Sequence, residues 1–248
     1  MQIVVNKILT NYTDRGAGEV VLLLHGWGSN SAMMDDLAGD LVAKYRVIAV
    51  DFPGFGGSSE PETAWTVADY AKFTRDFLNK IDAKEVSTVI GHSFGGRVII
   101  KLISKKLLNP KKVVFIDSAG IKPRKNLKQK FRFIVAKVGK VILKPLPKKA
   151  QDGLRRKISS SDYINSSGVM RETFLVTIRE DLQRELPTIQ QPTLLIWGED
   201  DTETPISDAK IFAATIPYSK LHILKNAGHY AFIDQPFETK KLIREFLK

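Results

Sequence analysis

The residues best suited to chemistry form the run Gly91-His92-Ser93-Phe94-Gly95, which follows an apolar strand-like segment and precedes a helical pattern. A G-x-S-x-G motif at such a junction is typical of a nucleophilic serine, because a sharp turn lifts the hydroxyl clear of the sheet. Glycines at the flanking positions prevent side chains from colliding with the neighbouring backbone. At a helix N-terminus, backbone N–H groups and the helix dipole also stabilise the negative charge that develops during acyl transfer. The motif therefore predicts covalent catalysis by Ser93.

A serine hydroxyl is a weak nucleophile at neutral pH, so a second residue must act as its base. The chain has four histidines. His25 follows the strand pattern of residues 20–24, and His222 lies within an apolar strand pattern, where packing is the more usual role. His92 adjoins Ser93 in sequence, and its side chain is expected to point away. His229 remains, in a glycine-containing loop, and we predict that it is the base.

The residue inventory excludes several kinds of site. The chain has 248 residues, 43% of them apolar, and no cysteine. This length predicts one large folded unit with room for an inserted subdomain. Without cysteine there are no disulfides, no thiolate catalysis and no cysteine-ligated metals. We predict neither a metal site nor a cofactor.

The location of the protein can also be predicted from hydropathy. The first residues lack a basic segment followed by a long apolar one, which is the pattern of a secretory signal. No window reaches the roughly 18 consecutive apolar residues of a membrane span. A cytoplasmic protein is therefore expected.

The elements that must position Ser93 and His229 alternate between strand and helix patterns. Strand-like apolar runs occur at residues 20–24, 46–50, 87–90, 112–116, 193–197 and 220–224. Apolar residues recur at helical spacing over residues 31–44, 66–81, 94–106, 206–216 and 236–247. Because nearly continuous apolar strands are covered on both faces, the pattern predicts a parallel, doubly wound α/β sheet. Residues 2–12 are expected to add one or two edge strands.

The G-x-S-x-G motif within this alternation resembles the α/β-hydrolase superfamily, and the resemblance covers nearly the whole chain except residues 121–191. It implies the α/β-hydrolase fold, a mostly parallel doubly wound sheet with an inserted α-helical cap. It also implies that an acid and then a histidine follow the serine in chain order. His229, after the last strand pattern, occupies the position where family members carry their base.

The resemblance also indicates the acid. The related pattern G-x-x-D-x-x-x-P, placed on Gly198 to Pro205, selects Asp201. Asp200 is its neighbour, and Asp117 follows the strand at the other site where some relatives carry this carboxylate. Asp201 is our prediction, with Asp117 and Asp200 as the alternatives. Its task would be to hold one imidazole tautomer and stabilise the imidazolium.

Two glycine-rich loops match the family as well. The first, His25-Gly26-Trp27-Gly28, resembles the H-G-x-G loop of the oxyanion hole. By analogy, the backbone N–H groups of Trp27 and Phe94 are the expected oxyanion donors. The second loop, residues 51–58, is interpreted as structural, because no Lys-Ser/Thr pair closes it as in a phosphate-binding loop.

The helical patterns between residues 121 and 191 have no strand between them, which predicts a cap inserted into a core of residues 1–120 and 192–248. Fourteen Lys or Arg residues and one acid lie between Lys122 and Lys157, a local balance of +13 in a chain of net charge +11. Such a local block argues against a nucleic-acid-binding fold. An amphipathic pattern in the cap, with Phe131, Ile134, Val135, Val138 and Ile142 on one face, predicts a cover for an apolar cleft. Peripheral contact with anionic lipid is the less favoured alternative.

Together these residues predict a serine hydrolase that cleaves a small-molecule ester through an acyl-enzyme. The basic cap favours a substrate that is anionic or lipid-like. Two alternatives stay open. One is hydrolysis of a carbon–carbon bond in anionic diketone-type substrates, although relatives of that kind commonly have Trp where this chain has Tyr230. The other is a ligand receptor with a slow or silent triad. The natural substrate, acyl chain length and oligomeric state are not specified by the sequence.

Overall fold

The computed structural model of the protein describes residues 1–122 and 168–248. Within these ranges, eight strands form one sheet. The strands are β1 (Gln2–Val5), β2 (Ile8–Arg15), β3 (Val20–Leu24), β4 (Arg46–Val50), β5 (Val86–His92), β6 (Lys112–Ile116), β7 (Thr193–Gly198) and β8 (Ser219–Leu224). The helices are α1 (Asp35–Leu41), α2 (Val67–Lys80), α3 (Phe94–Ser104), α4 (Gly168–Arg179), α5 (Ile206–Thr215), α6 (Ala231–Asp234) and α7 (Pro236–Leu247). Short 3₁₀ turns cover Ser31–Met34 and Gln183–Thr188.

The sheet is mostly parallel and doubly wound, as predicted. Its strand order is β1-β2-β4-β3-β5-β6-β7-β8. Strands β3 to β8 pair in parallel, whereas β1 and β2 form an antiparallel hairpin that joins the sheet at β4. Strands β6 and β7 are direct neighbours, with Val113 opposite Thr193 and Ile116 opposite Ile196. The carboxyl ends of all six parallel strands therefore meet at one edge.

The core consists of two layers, one on each face of the sheet. Along β3, Leu22 and Leu24 belong to the layer that also contains buried residues of α2, α3 and α5. Val21 and Leu23 belong to the opposite layer, which contains buried residues of α1 and α7. Successive side chains of a strand point to opposite faces, so both layers are filled only if the strand is apolar throughout. This is why the central strands show no polar alternation.

Two predicted elements differ from the structure. The helix predicted over residues 31–44 is a 3₁₀ turn capped by Asn30 and followed by the shorter α1, which ends at Leu41. Strand β8 is half exposed rather than covered on both faces. It lies at the edge of the sheet, so part of its surface faces solvent.

Part of the predicted cap is described, and its last residues pack into the main core. Leu182, Leu186 and Ile189 are buried there. Lys101 of α3 pairs with Glu180 at 2.7 Å and with Glu185 at 2.5 Å. The basic stretch and the amphipathic pattern around Phe131 lie outside the described residues, and the predicted domain bounds stay a prediction. In the described part of the chain, no helix is long and apolar enough to cross a bilayer.

Asp51 joins the loops that follow β3 and β4. Its buried carboxylate accepts hydrogen bonds from the backbone N–H of Ser31 at 2.7 Å, from the side chain of Asn11 at 2.8 Å and from the N–H of Gly57 at 2.8 Å. Burial alone would raise the pKa of Asp51, but these donors outweigh it and hold the pKa below its usual value. A Cβ on Gly56, which has a φ of 55°, would lie 2.1 Å from the carboxylate. The glycine-rich loop is therefore wrapped around this anion.

We predict that Asp51→Asn lowers the free energy of unfolding by about 2–4 kcal/mol. The amide N–H groups of asparagine would face the N–H groups that now donate to the carboxylate. Urea unfolding followed by circular dichroism measures this change. Glu62→Gln, on an exposed side chain, is the matched control and should stay within about 0.5 kcal/mol of wild type. Equal stability of the two variants would contradict the role given to Asp51.

Candidate active site

Ser93 occupies a strained turn between β5 and α3. Its backbone has a φ of 48° and a ψ of −110°, a conformation that a non-glycine residue rarely adopts. Hydrogen bonds from Ser93 N–H to the carbonyl of Ile116 (3.1 Å) and from Ala119 N–H to the carbonyl of Ser93 (3.0 Å) hold the turn on β6. The end of β6 and the residues after it thus hold Ser93 in its strained backbone conformation.

The glycines of the motif are required by close approach, as predicted. A Cβ on Gly95 would lie 2.2 Å from the carbonyl oxygen of Leu24, and one on Gly91 would lie 2.8 Å from the carbonyl carbon of Gly95. Atoms this close would force the backbone to shift. The same contacts bring the end of β3 directly against the start of α3.

Ser93, His229 and Asp201 are hydrogen bonded in series. The hydroxyl of Ser93 is 2.9 Å from Nε2 of His229, and Nδ1 of His229 is 2.9 Å from Oδ2 of Asp201. Because an ionised carboxylate only accepts hydrogen bonds, Nδ1 carries the imidazole proton and Nε2 accepts from the serine hydroxyl. The three residues come from the loops after β5, β7 and β8. The structure therefore brings together the serine, histidine and acid that the sequence predicted.

The carboxylate of Asp201 is buried and held by its own loop. Its Oδ1 accepts the backbone N–H groups of Glu203 at 2.8 Å and Thr204 at 2.9 Å, and its Oδ2 accepts the hydroxyl of Thr204 at 2.6 Å. Burial raises the pKa of Asp201, but the hydrogen bonds from His229 and Thr204 outweigh burial, so the pKa lies below its usual value. Asp201 is therefore ionised at neutral pH.

The environment of His229 favours its protonated form. Burial lowers the pKa of His229, but the hydrogen bond and the charge of Asp201 outweigh burial, so the net pKa is raised above the usual 6.5. A raised pKa suits a group that must take a proton from a serine hydroxyl and later return it.

Within residues 1–122 and 168–248, the imidazole of His229 is hydrogen bonded to Asp201 and to neither alternative acid. Asp117 is buried and has a φ of 44°; it accepts the backbone N–H groups of Gly198 and Ala231, both at 2.8 Å. It thereby ties the end of β7 to the start of α6, and burial raises its pKa to about 7. Asp200 is exposed. Asp117 supports the loops that hold His229 and Asp201 instead of orienting the imidazole itself.

The predicted oxyanion loop lies beside the nucleophile. A Cβ on Gly26 would lie 3.4 Å from Cβ of Ser93. Nδ1 of the buried His25 is 2.7 Å from the carbonyl of Gly26, and its Nε2 accepts the N–H of Phe52 at 3.0 Å, which fixes the ring as a neutral tautomer. Burial lowers the pKa of His25 to about 4, in keeping with that neutral form. His25 therefore anchors the loop through both ring nitrogens.

Trp27 follows Gly26 in the loop beside Ser93, and Phe94 follows Ser93 in the chain. Phe94 is the first residue of α3, directly after Ser93, and Trp27 lies on the adjacent loop. The Trp27 ring packs against Phe94 (5.3 Å between ring centroids), Phe55 (4.8 Å) and Phe174 of α4 (5.2 Å). An aromatic wall thus adjoins the serine. The use of the two backbone N–H groups as oxyanion donors stays a prediction.

Sequence reasoning missed a contribution of His92. Its Nε2 lies 2.7 Å from the carbonyl oxygen of His229. The ring also packs against the rings of His229 (5.0 Å) and Tyr230 (5.0 Å). Burial, and then the charge of His229, lower the pKa of His92 to about 3, so it is a neutral donor. It holds in place the backbone that carries the base.

Two residues of the acid loop were missed as well. The hydroxyl of Thr204 binds Asp201, and Oε2 of Glu203 lies 3.4 Å from Nε2 of His229. Their positions two and three residues after Asp201 are the signal, since a loop that wraps a carboxylate must supply its donors locally. For His92 the sequence offers no comparable signal, because its partner lies 137 residues away.

The mostly parallel sheet, the serine turn after β5 and the residues gathered at the carboxyl edge define a hydrolase architecture. Residues 19–236 match the model of the alpha/beta hydrolase fold family, and the chain belongs to that family.

Several proteins with described activities are similar over most of their length. A 2-hydroxy-6-oxo-6-(2'-aminophenyl)hexa-2,4-dienoic acid hydrolase of Metapseudomonas resinovorans is 26% identical, over 96% of this chain and 87% of its own. A monoacylglycerol lipase of Xenopus laevis is 25% identical, over 95% of this chain and 78% of its own. Among solved structures, a bacterial membrane phospholipase A superimposes with a TM-score of 0.78 at 25% identity, covering all of this chain and 84% of that one.

We predict that His92→Phe slows the reaction of Ser93 with a fluorophosphonate probe about 3- to 10-fold, because the carbonyl of His229 loses its donor and the base is held less firmly. Gel fluorescence of the labelled protein over time gives the rate. His92→Gln keeps an N–H donor at a similar reach and should recover part of the loss. A Phe variant that labels at the wild-type rate would show that His92 only fills space.

Proposed function

We propose that the protein is a carboxylic ester hydrolase that works through an acyl-enzyme on Ser93. The observation that carries this proposal is the unbroken series from the Ser93 hydroxyl to His229 and on to Asp201, with 2.9 Å at each step. A serine paired in this way with a neutral imidazole and an ionised, buried carboxylate is equipped to attack a carbonyl carbon.

In the proposed reaction, Nε2 of His229 takes the proton as Ser93 Oγ attacks the ester carbonyl. Asp201 stabilises the resulting imidazolium and fixes the ring. The N–H groups of Trp27 and Phe94 would donate to the oxyanion, and the imidazolium then protonates the departing alcohol. A water molecule, activated by the same nitrogen, releases the acid and restores the serine hydroxyl.

Ester cleavage is also supported by the similarity to a lipase and to a phospholipase A, since both names describe ester hydrolases. The aromatic wall formed by Trp27, Phe55, Phe94 and Phe174 suits an apolar acyl group.

Cleavage of a carbon–carbon bond is the second candidate, because the hydrolase from Metapseudomonas resinovorans acts on a dienoic acid. The two candidates differ in substrate charge. An acid of that kind brings a carboxylate into the site, whereas a simple ester is neutral.

We predict that replacing Ser93 by Ala removes both fluorophosphonate labelling and the hydrolysis of p-nitrophenyl butyrate, with a fall in kcat of at least about 10⁴-fold. Far-ultraviolet circular dichroism should show an unchanged fold. Thr88→Ser, a conservative change within β5, is a control for handling of the protein and should label normally. A wild-type protein that neither labels nor hydrolyses esters would favour a ligand receptor instead.

We also predict that kcat/KM for p-nitrophenyl butyrate falls as the pH drops through a midpoint above 6.5. His229 must be neutral to accept the serine proton, and its pKa is raised, so the protonated, inactive form persists to a higher pH than for a free histidine. Asp201 stays ionised over this range because its pKa is lowered. A pH profile between 5 and 9 measures the midpoint, and a value below 6 would contradict the electrostatics described for the site.

A further inference from the structure

Glu203 places a second carboxylate at the catalytic histidine. Its Oε2 lies 3.4 Å from Nε2 of His229, on a side chain that is 62% exposed. The backbone beneath it is fixed, because the N–H of Glu203 donates to Oδ1 of Asp201 at 2.8 Å. The loop that holds the acid therefore also positions Glu203 at the mouth of the site.

The Glu203 carboxylate lies close to Nε2 of His229, the atom that transfers the proton during the reaction. In acyl transfer the nitrogen takes a proton from Ser93 and passes it to the oxygen of the departing alcohol. That oxygen must therefore come within hydrogen-bond reach of Nε2. Glu203 Oε2 lies 3.4 Å from Nε2, against 2.9 Å for Ser93 Oγ, and so borders the space that the leaving group enters.

The carboxylate of Glu203 also makes this space electrostatically negative. Glu203 belongs to a run in which Glu199, Asp200 and Asp201 are acidic as well. A negative group on the departing alcohol would meet this carboxylate at short range, whereas a hydroxyl or ammonium group would find a hydrogen-bond acceptor or an opposite charge. Because Glu203 is partly solvated, the effect is expected to be moderate.

We propose that Glu203 is a specificity-determining residue that selects the alcohol part of the substrate. It favours esters whose alcohol carries a hydroxyl or cationic group near the ester oxygen and disfavours those that carry a carboxylate there. This inference rests on the proposed ester hydrolysis. It also refines the expectation of an anionic substrate, since a negative group on the alcohol part is disfavoured.

The test compares three butyrate esters that share an acyl group: butyrylcholine, ethyl butyrate and 3-(butyryloxy)propanoate. For Glu203→Gln, kcat/KM is expected to fall about 3- to 10-fold for the cationic ester and to rise by a similar factor for the anionic one, with the neutral ester between them. Adding 0.5 M NaCl to the wild type should reduce its discrimination between the charged esters, because salt screens exposed charges.

Glu199→Gln is the matched control, since it removes an exposed carboxylate from the same loop. It should leave the ratio between the cationic and anionic esters at the wild-type value. If Glu203→Gln changes all three esters by one common factor, or changes none, the selective role is overturned while ester hydrolysis stands. If the wild type cleaves none of the three esters, the proposed function fails, and the selective role fails with it.

Discussion

The hydrogen bond between Asp201 and His229 is the interaction on which the site depends. Without it, the imidazole would be free to place its proton on either nitrogen, and Nε2 could accept from Ser93 in only one of the two tautomers. The two residues lie 28 positions apart in sequence, on loops after neighbouring strands. Parallel pairing of β7 with β8 brings those loops to the same edge. The sheet thus brings residues that are distant in sequence together in one reactive group.

The surroundings of this bond are built to keep it in place. Asp117 accepts N–H groups from both sides of the site, one at the end of β7 and one at the start of α6. His92 donates to the backbone carbonyl of His229. Buried polar groups such as these are costly unless each finds its partner, so the fold that satisfies them also fixes the loops. The same hydrogen bonds that satisfy the buried Asp117 and His92 therefore also hold the loop that carries His229.

The sequence predicted the sheet well because burial of a strand shows in a short-range pattern, and the resemblance to the α/β-hydrolase family indicated the reactive residues. Apolar runs such as residues 20–24 and 46–50 coincide with β3 and β4, since a strand buried on both faces must be apolar throughout. The flanking glycines of Ser93 are explained by contacts within a few ångströms. Long-range partners were not predictable: nothing near His92 indicates that it meets residue 229, and Asp117 resembled a candidate acid until its partners at β7 and α6 were seen. The exposure of β8 likewise depends on its place at the sheet edge rather than on its composition.

The direct pairing of β6 with β7 has a consequence for how such a chain can diversify. Everything between Ile116 and Thr193 leaves and re-enters the sheet at adjacent positions, so the register of Val113 with Thr193 does not depend on the length of what lies between. Asp117 and Ala119 support the site and Leu182 packs into the core, but the length of the rest of this interval can change while the pairing of β6 with β7 is kept. Variation in the length of this interval is therefore decoupled from the strand pairing that places the reactive residues at one edge of the sheet.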